Sequence, residues 1–258
     1  MNNIFSFSRF AMLFKKHTLE HAKIYLMSAG VLAGLLFLAL GFIAYTNGGQ
    51  LSPGPQAIIF IFFFLFAGSI FTSLSFSALG DKRKAIPVLT LPASNFEKYL
   101  VSWVYSFLIF QLAFIGVFYL ADGIVLSIST PKQGHNEMLS LLDDRFTVYY
   151  VFLIYLFFHA LSFWGAIFFE KMHFIKTAFV FFACAVVLVL INQPILNALI
   201  DREILKSMPF DDLRFMDNDR YFNVEPEGKA GYYHLAIIVA CAVLLWCSAF
   251  FRLKEKEV

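Results

Sequence analysis

Near the start of this chain, His and Glu fall at metal-binding spacing. The run His17-Thr18-Leu19-Glu20-His21 puts two imidazoles one helical turn apart with a carboxyl between them. Two His at i and i+4 can share a metal ion, and an adjacent Glu can act as the base for a metal-bound water. Glu97 supplies a third ligand if the fold brings it close. Zinc-assisted hydrolysis is therefore the chemistry these residue types permit. Elsewhere such residues are sparse. His159 stands among Phe157, Phe158 and Leu161, and Gln111 is isolated in another apolar run. Thr72, Ser73, Ser75 and Ser77 cluster in a third. An ionisable group inside a membrane span is a site by default, yet a neutral His also simply bonds a neighbouring helix. Gln111 and His159 are the candidate polar groups on a transport path. Asp211, Asp212, Asp217 and Asp219 concentrate acidic charge without the glycine spacing of a calcium loop, and read as a solvated surface. No phosphate-binding loop and no nucleophile elbow occurs. Cys184, Cys241 and Cys247 all lie in apolar runs and read as small core residues. The expectation is a chain without catalytic residues, cofactor or metal of its own.

The elements that must position these groups are apolar helices. Of 258 residues, 60% are hydrophobic and 15% charged, with a mean hydropathy of +0.72. Soluble chains average about 45–50% apolar and about 25% charged. An all-α integral membrane protein follows. Six stretches have the length and apolarity to span: 24–45, 57–79, 99–120, 147–169, 177–200 and 232–251. None holds Asp, Glu, Lys or Arg. A charge at mid-membrane costs about 2.5–3.5 kcal/mol on insertion scales, so this segregation is not chance. Asn192-Gln193-Pro194 interrupts the fifth stretch, where Pro kinks or ends a helix. Two spans separate His21 from Glu97. The spacing resembles that of pitrilysin-like zinc proteases, but those are soluble α/β enzymes, and a surface helix carrying His and Glu is the plainer reading. A net charge of +2 provides no field for nucleic acid.

Lys and Arg set the orientation. Thirteen fall on the side of the chain ends and seven on the other. The side with the ends is expected to be cytoplasmic, in a cell (inner) membrane. Residues 3–23 read as an amphipathic helix on the cytoplasmic membrane surface, with Phe7, Phe10, Ala11 and Phe14 opposite Arg9, Lys16 and Glu20. The alternative is a plain extension of the first span. Gly30 and Gly34 form a G-x-x-x-G pair for close helix contact, within the chain or with a second subunit. In the outer loop 201–231, Leu205 with Met208 and Leu213 with Met216 have helical spacing around Pro209. A folded cap of two short helices broken at Pro209 is expected.

The cytoplasmic loop 80–98 is the most informative segment. Asp81, Lys82, Arg83 and Lys84 form a charged cluster beside the membrane, and the run from Ile86 through Pro87 and Leu89 to Leu91 is apolar but too short to span. Such a run must either pack on protein or anchor to lipid. Ser94 and Glu97 have capping-box spacing at the start of the third span. The run Leu91-Pro92-Ala93-Ser94-Asn95-Phe96-Glu97-Lys98-Tyr99-Leu100 resembles the "LPxSxxEKxL" stretch of permease subunits of bacterial type-2 ATP-binding-cassette exporters. The resemblance covers about ten residues of sequence, and the whole chain only in its six-span plan. It implies a single transmembrane domain, 1–258, without enzymatic activity. This domain would line a substrate path beside a second permease subunit, identical or not. Loop 80–98 would dock onto a separate ATP-binding-cassette ATPase through Asp81, Lys82, Arg83, Lys84, Ile86, Pro87, Leu89 and Leu91. It also implies helical hairpins before the last span. A membrane scaffold or channel without an ATPase is the first alternative, and a membrane-surface zinc protease the remote one.

Overall fold

The computed structural model describes residues 5–76, 93–131, 135–143, 148–199, 203–204, 208–209, 213–217, 220–224 and 230–255. Their order is α1 (Phe7–Thr46), α2 (Pro53–Leu74), α3 (Asn95–Trp103), a π-helical turn (Val104–Ile109), α4 (Phe110–Ile128), α5 (Tyr150–Phe168) and α6 (His173–Leu199), then three short strands and α7 (Ala230–Glu255). α3, the π turn and α4 form one continuous rod. Six rods are thus long and apolar enough to cross a membrane, as the hydropathy pattern requires. An even number of crossings returns both chain ends to one side, here called the near side.

The first rod differs from expectation. α1 is one uninterrupted helix of 40 residues. At ~1.5 Å per residue it rises about 60 Å, against ~30 Å for the hydrocarbon layer. The expected interfacial helix and first span are therefore one element. Nothing between Phe7 and Ala29 is Gly or Pro, so no residue there breaks the helix. The aromatic face of its first turns packs on the third rod, with Phe14 against Tyr105 at 4.9 Å and Phe5 against Phe96 at 6.0 Å between ring centroids. At the far end Gly48 and Gly49 turn the chain at φ +67 and +89. A side chain on Gly49 would also run into the carbonyl of Thr130.

Two clusters form the core. On the far side Leu36 and Leu40 of α1, Phe60 and Phe64 of α2, Phe114 and Phe118 of α4 and Tyr155 of α5 are buried together. Phe60 meets Phe118 edge-on at 4.9 Å. On the near side Phe163 and Ile167 of α5 pack with Tyr99 of α3 and with Ala249 and Leu253 of α7. α5 sits in both clusters, and its seam with α7 is the most extensive helix contact. Two glycines on opposite helices let rods approach. A Cβ at Gly68 would strike the rings of Tyr155 and Phe110, and one at Gly165 would strike Thr177. Thr177 is the one buried residue of α6 among the described residues, so this helix is the most loosely attached. α6 also continues through Pro194, where the fifth span was expected to kink or end.

The region before α7 corrects the expected helical cap. Its described residues form an antiparallel sheet in the order β1 (Glu203–Ile204), β2 (Leu213–Asp217), β3 (Arg220–Val224). Phe215 pairs with Phe222, and Asp217 with Arg220. That register leaves two residues, Asn218-Asp219, between the strands, a length and composition typical of tight hairpins. Tyr221, Phe222 and Val224 favour strands. The short i, i+3 apolar pairs could not outweigh these signals. A second far-side segment, 135–143, is irregular but pinned. Fully buried Gln56 donates to the carbonyl of Glu137 (2.7 Å) and accepts from the Leu139 N–H (2.7 Å). Asn136 accepts from the Leu51 N–H (2.9 Å), and Tyr119 donates to the Leu139 carbonyl (2.9 Å).

Candidate functional site

Glu97 is the junction of the near side. It occupies the third position of α3, and its N–H donates to the Ser94 hydroxyl at 3.2 Å while its Oε2 accepts from the Ser94 N–H at 2.9 Å. This is the reciprocal capping box the spacing called for. Nothing in the local spacing indicates what the other oxygen does. Oε1 accepts from the Ser6 N–H at 2.7 Å, and from Arg9 Nε at 3.3 Å and Nη2 at 3.1 Å. Ser6 is the N-cap of α1, so one carboxylate caps two helix starts and neutralises Arg9. Glu97 is fully buried, whereas the Arg9 side chain is 31% exposed. A buried carboxylate is tolerable only when hydrogen-bonded in this manner. The ends of the third rod and of α1 are thereby tied together beside loop 80–98.

Asp81, Lys82, Arg83, Lys84, Ile86, Pro87, Leu89 and Leu91 all lie outside the described residues. The described chain resumes at Ala93, one residue before the Ser94 cap.

The zinc arrangement does not assemble. His17 Nε2 lies 2.7 Å from the Tyr25 hydroxyl, and its ring stacks on His21 at 4.3 Å. His21 Nδ1 is 3.0 Å from the carbonyl of His17. Glu20 is on the exposed face, 3.8 Å from Lys16. Glu97 is held at Arg9, three turns of helix before His21, roughly 18 Å along the axis at ~1.5 Å per residue. Among the described residues no three His, Cys, Asp or Glu side chains gather where an ion could be held. Instead His17 and Tyr25 pack on Tyr105, while Thr18 bonds the Tyr105 hydroxyl. The motif residues cement α1 to the third rod.

His159 is fully buried with both ring nitrogens engaged. Trp246 Nε1–H of α7 donates to Nδ1 at 3.2 Å, which leaves the proton on Nε2 for the hydroxyl of Ser106 at 2.9 Å. Ser106 in turn donates to the Ser102 carbonyl at 2.8 Å. One turn away on α5, Tyr155 donates to the Ser106 backbone carbonyl at 2.8 Å. Ser106 lies in the π turn, where an extra residue disturbs the regular carbonyl pairing. His159 and Tyr155 thus clamp a bulge in the third rod, and Trp246 ties the clamp to the last span. Gln111 is half-buried in α4, just past this turn.

Gly30 and Gly34 are exposed on α1, with nothing within 4 Å of a built Cβ. Their contact within the chain is thereby excluded for the described residues, and the face stays open to lipid or a second subunit. No family model, no curated protein and no solved structure matches this chain.

Proposed function

We propose that this chain is the membrane-spanning permease subunit of an ATP-driven exporter, working with a separate ATPase chain. The observation that carries the reading is the Glu97 junction. A loop that receives a push from an ATPase must be fastened to the helices it moves. Loop 80–98 ends at a capping box whose carboxylate also holds the start of α1. Displacement of the loop is therefore passed to two membrane rods rather than one. The π turn lies further along the same rod, where a weaker backbone ladder permits bending. In this reading the near side is the cytoplasm of a cell inner membrane. Two permease subunits line the path, with Gly30 and Gly34 on the face of α1 left open for a partner.

The test is purification of the tagged full chain from native membranes in mild detergent. Co-purification, at fixed stoichiometry, of a protein with a phosphate-binding loop supports the reading. Ile86→Asp should then release that protein, while Lys82, Arg83 and Lys84 changed together to Gln should weaken it less. A chain that is active or abundant with no ATPase attached overturns the proposal and leaves the scaffold or channel alternative.

A further inference from the structure

One carboxyl takes no part in any contact described above. Asp122 is fully buried on the stripe of α4 that carries Phe114, Phe118, Ala121 and Val125. Neither of its oxygens has a hydrogen-bond partner among the described residues. The helices packed against this stripe bring no counter-charge. From Leu32 to Thr46, α1 has no Asp, Glu, Lys, Arg or His, and neither has α2. Their one titratable group is Tyr45, which is exposed. On α4 itself Tyr119 gives its hydroxyl to the Leu139 carbonyl. The neighbouring segment 135–143 contributes His135 and Glu137, both exposed, and Asp143, while α5 contributes Tyr150 and Tyr155.

An ionised carboxylate with neither donor nor cation cannot be kept in apolar surroundings; it neutralises instead. A permanently structural residue at this position would be served better by Leu, which has no polar group to satisfy. We propose that Asp122 is a proton-binding site: the side chain is the neutral acid while the far ends of α1 and α4 are packed. When those ends part, the O–H bond breaks, the proton passes to far-side water, and the carboxylate is hydrated. Closing the seam takes the proton back. The closed state then binds one proton more than the open state, so raising the pH favours opening.

The test uses the full chain in lipid vesicles at neutral pH. Infrared spectra should contain a neutral-carboxyl stretch that shifts when Asp carboxyls carry carbon-13. Asp122→Asn should abolish that band. If this variant fails to fold, Asp122→Glu should move the band to the Glu label. A wild-type spectrum without the band, or a band that persists in Asp122→Asn, overturns the proposal, the former meaning that a cation neutralises the site. Spin labels at Thr46 and Thr130, with Cys184, Cys241 and Cys247 replaced, read the seam. Their separation should widen with pH in wild type and not in Asp122→Asn. Equal responses in both overturn the release step.

Discussion

Removing Glu97 should loosen two helix starts at once. Glu97→Ala strips the acceptor from the Ser6 N–H, the Ser94 N–H and the Arg9 guanidinium. Each hydrogen bond to a charged group contributes roughly 1.5–3 kcal/mol, but bonds that share an oxygen do not add in full. Loss of a cap alone costs about 0.5–2 kcal/mol. With Arg9 31% exposed, its pair falls between an exposed pair at ~0–1 kcal/mol and a buried one at ~3–5 kcal/mol. Glu97→Ala should therefore cost about 3–5 kcal/mol and Arg9→Ala about 1–2 kcal/mol. The double variant should cost less than the sum by about 1 kcal/mol, because the shared interaction is lost in each single variant and the orphaned partner is gone only in the double. Unfolding in mixed micelles, followed by helical circular dichroism as denaturing detergent is titrated in, gives the three values. Protease cutting near Phe7 should rise in every variant. Additivity within ~0.5 kcal/mol would refute the ion pair, and a loss under ~1 kcal/mol for Glu97→Ala would refute the junction.

Gly165→Ala should place a methyl group against Thr177 and lower stability by about 1–3 kcal/mol, with α6 the first helix to become protease-sensitive. The companion Thr177→Ala should restore most of that loss, as measured by thermal melting in detergent. His159→Phe keeps the volume of the ring but leaves Trp246 Nε1–H without its acceptor. It should cost about 0.6–2 kcal/mol in membranes and shift the Trp246 fluorescence to the blue, since an apolar ring replaces the acceptor of the indole N–H. An unchanged spectrum would count against the clamp. In a cysteine-free background, single cysteines at Gly48 and Gln133 should react with an impermeant maleimide added to intact cells, and one at Lys84 should not. Labelling at Lys84 would reverse the orientation.

The six rods were legible because one quantity decides them. The stretches 24–45, 57–79, 99–120, 147–169, 177–200 and 232–251 hold no Asp, Glu, Lys or Arg, and the cost of a charge in a bilayer leaves the charged residues of the rods to their ends. The region before α7 obeys weaker rules. There Leu205 with Met208 and Leu213 with Met216 offered helical spacing over two residues each, which any short apolar run satisfies by accident. The Asn218-Asp219 dipeptide between Asp217 and Arg220 was the better local signal, since a two-residue loop fixes strand register. The N-terminal stretch has an apolar face, and part of that face is covered by the third rod. Periodicity shows which residues need cover, not whether lipid or the Phe96 and Tyr105 rings supply it.

Glu97 marks where legibility ends. Its spacing from Ser94 is a local rule, so the cap could be read from four residues. The bond to Ser6 joins residues 91 apart, and nothing in either neighbourhood encodes it. A capping box needs only one carboxylate oxygen. The second oxygen of a buried Glu must still find a donor, and the donors that remain free near a membrane surface are helix N-termini and Arg. Ser6 and Arg9 supply both at the start of a long helix with no acid in its first turn. The same accounting, applied to His159, requires partners for two nitrogens, and Ser106 of the π turn and Trp246 of α7 provide them. Asp122 is where it finds none among the described residues, which is why a bound proton is the assignment proposed for it.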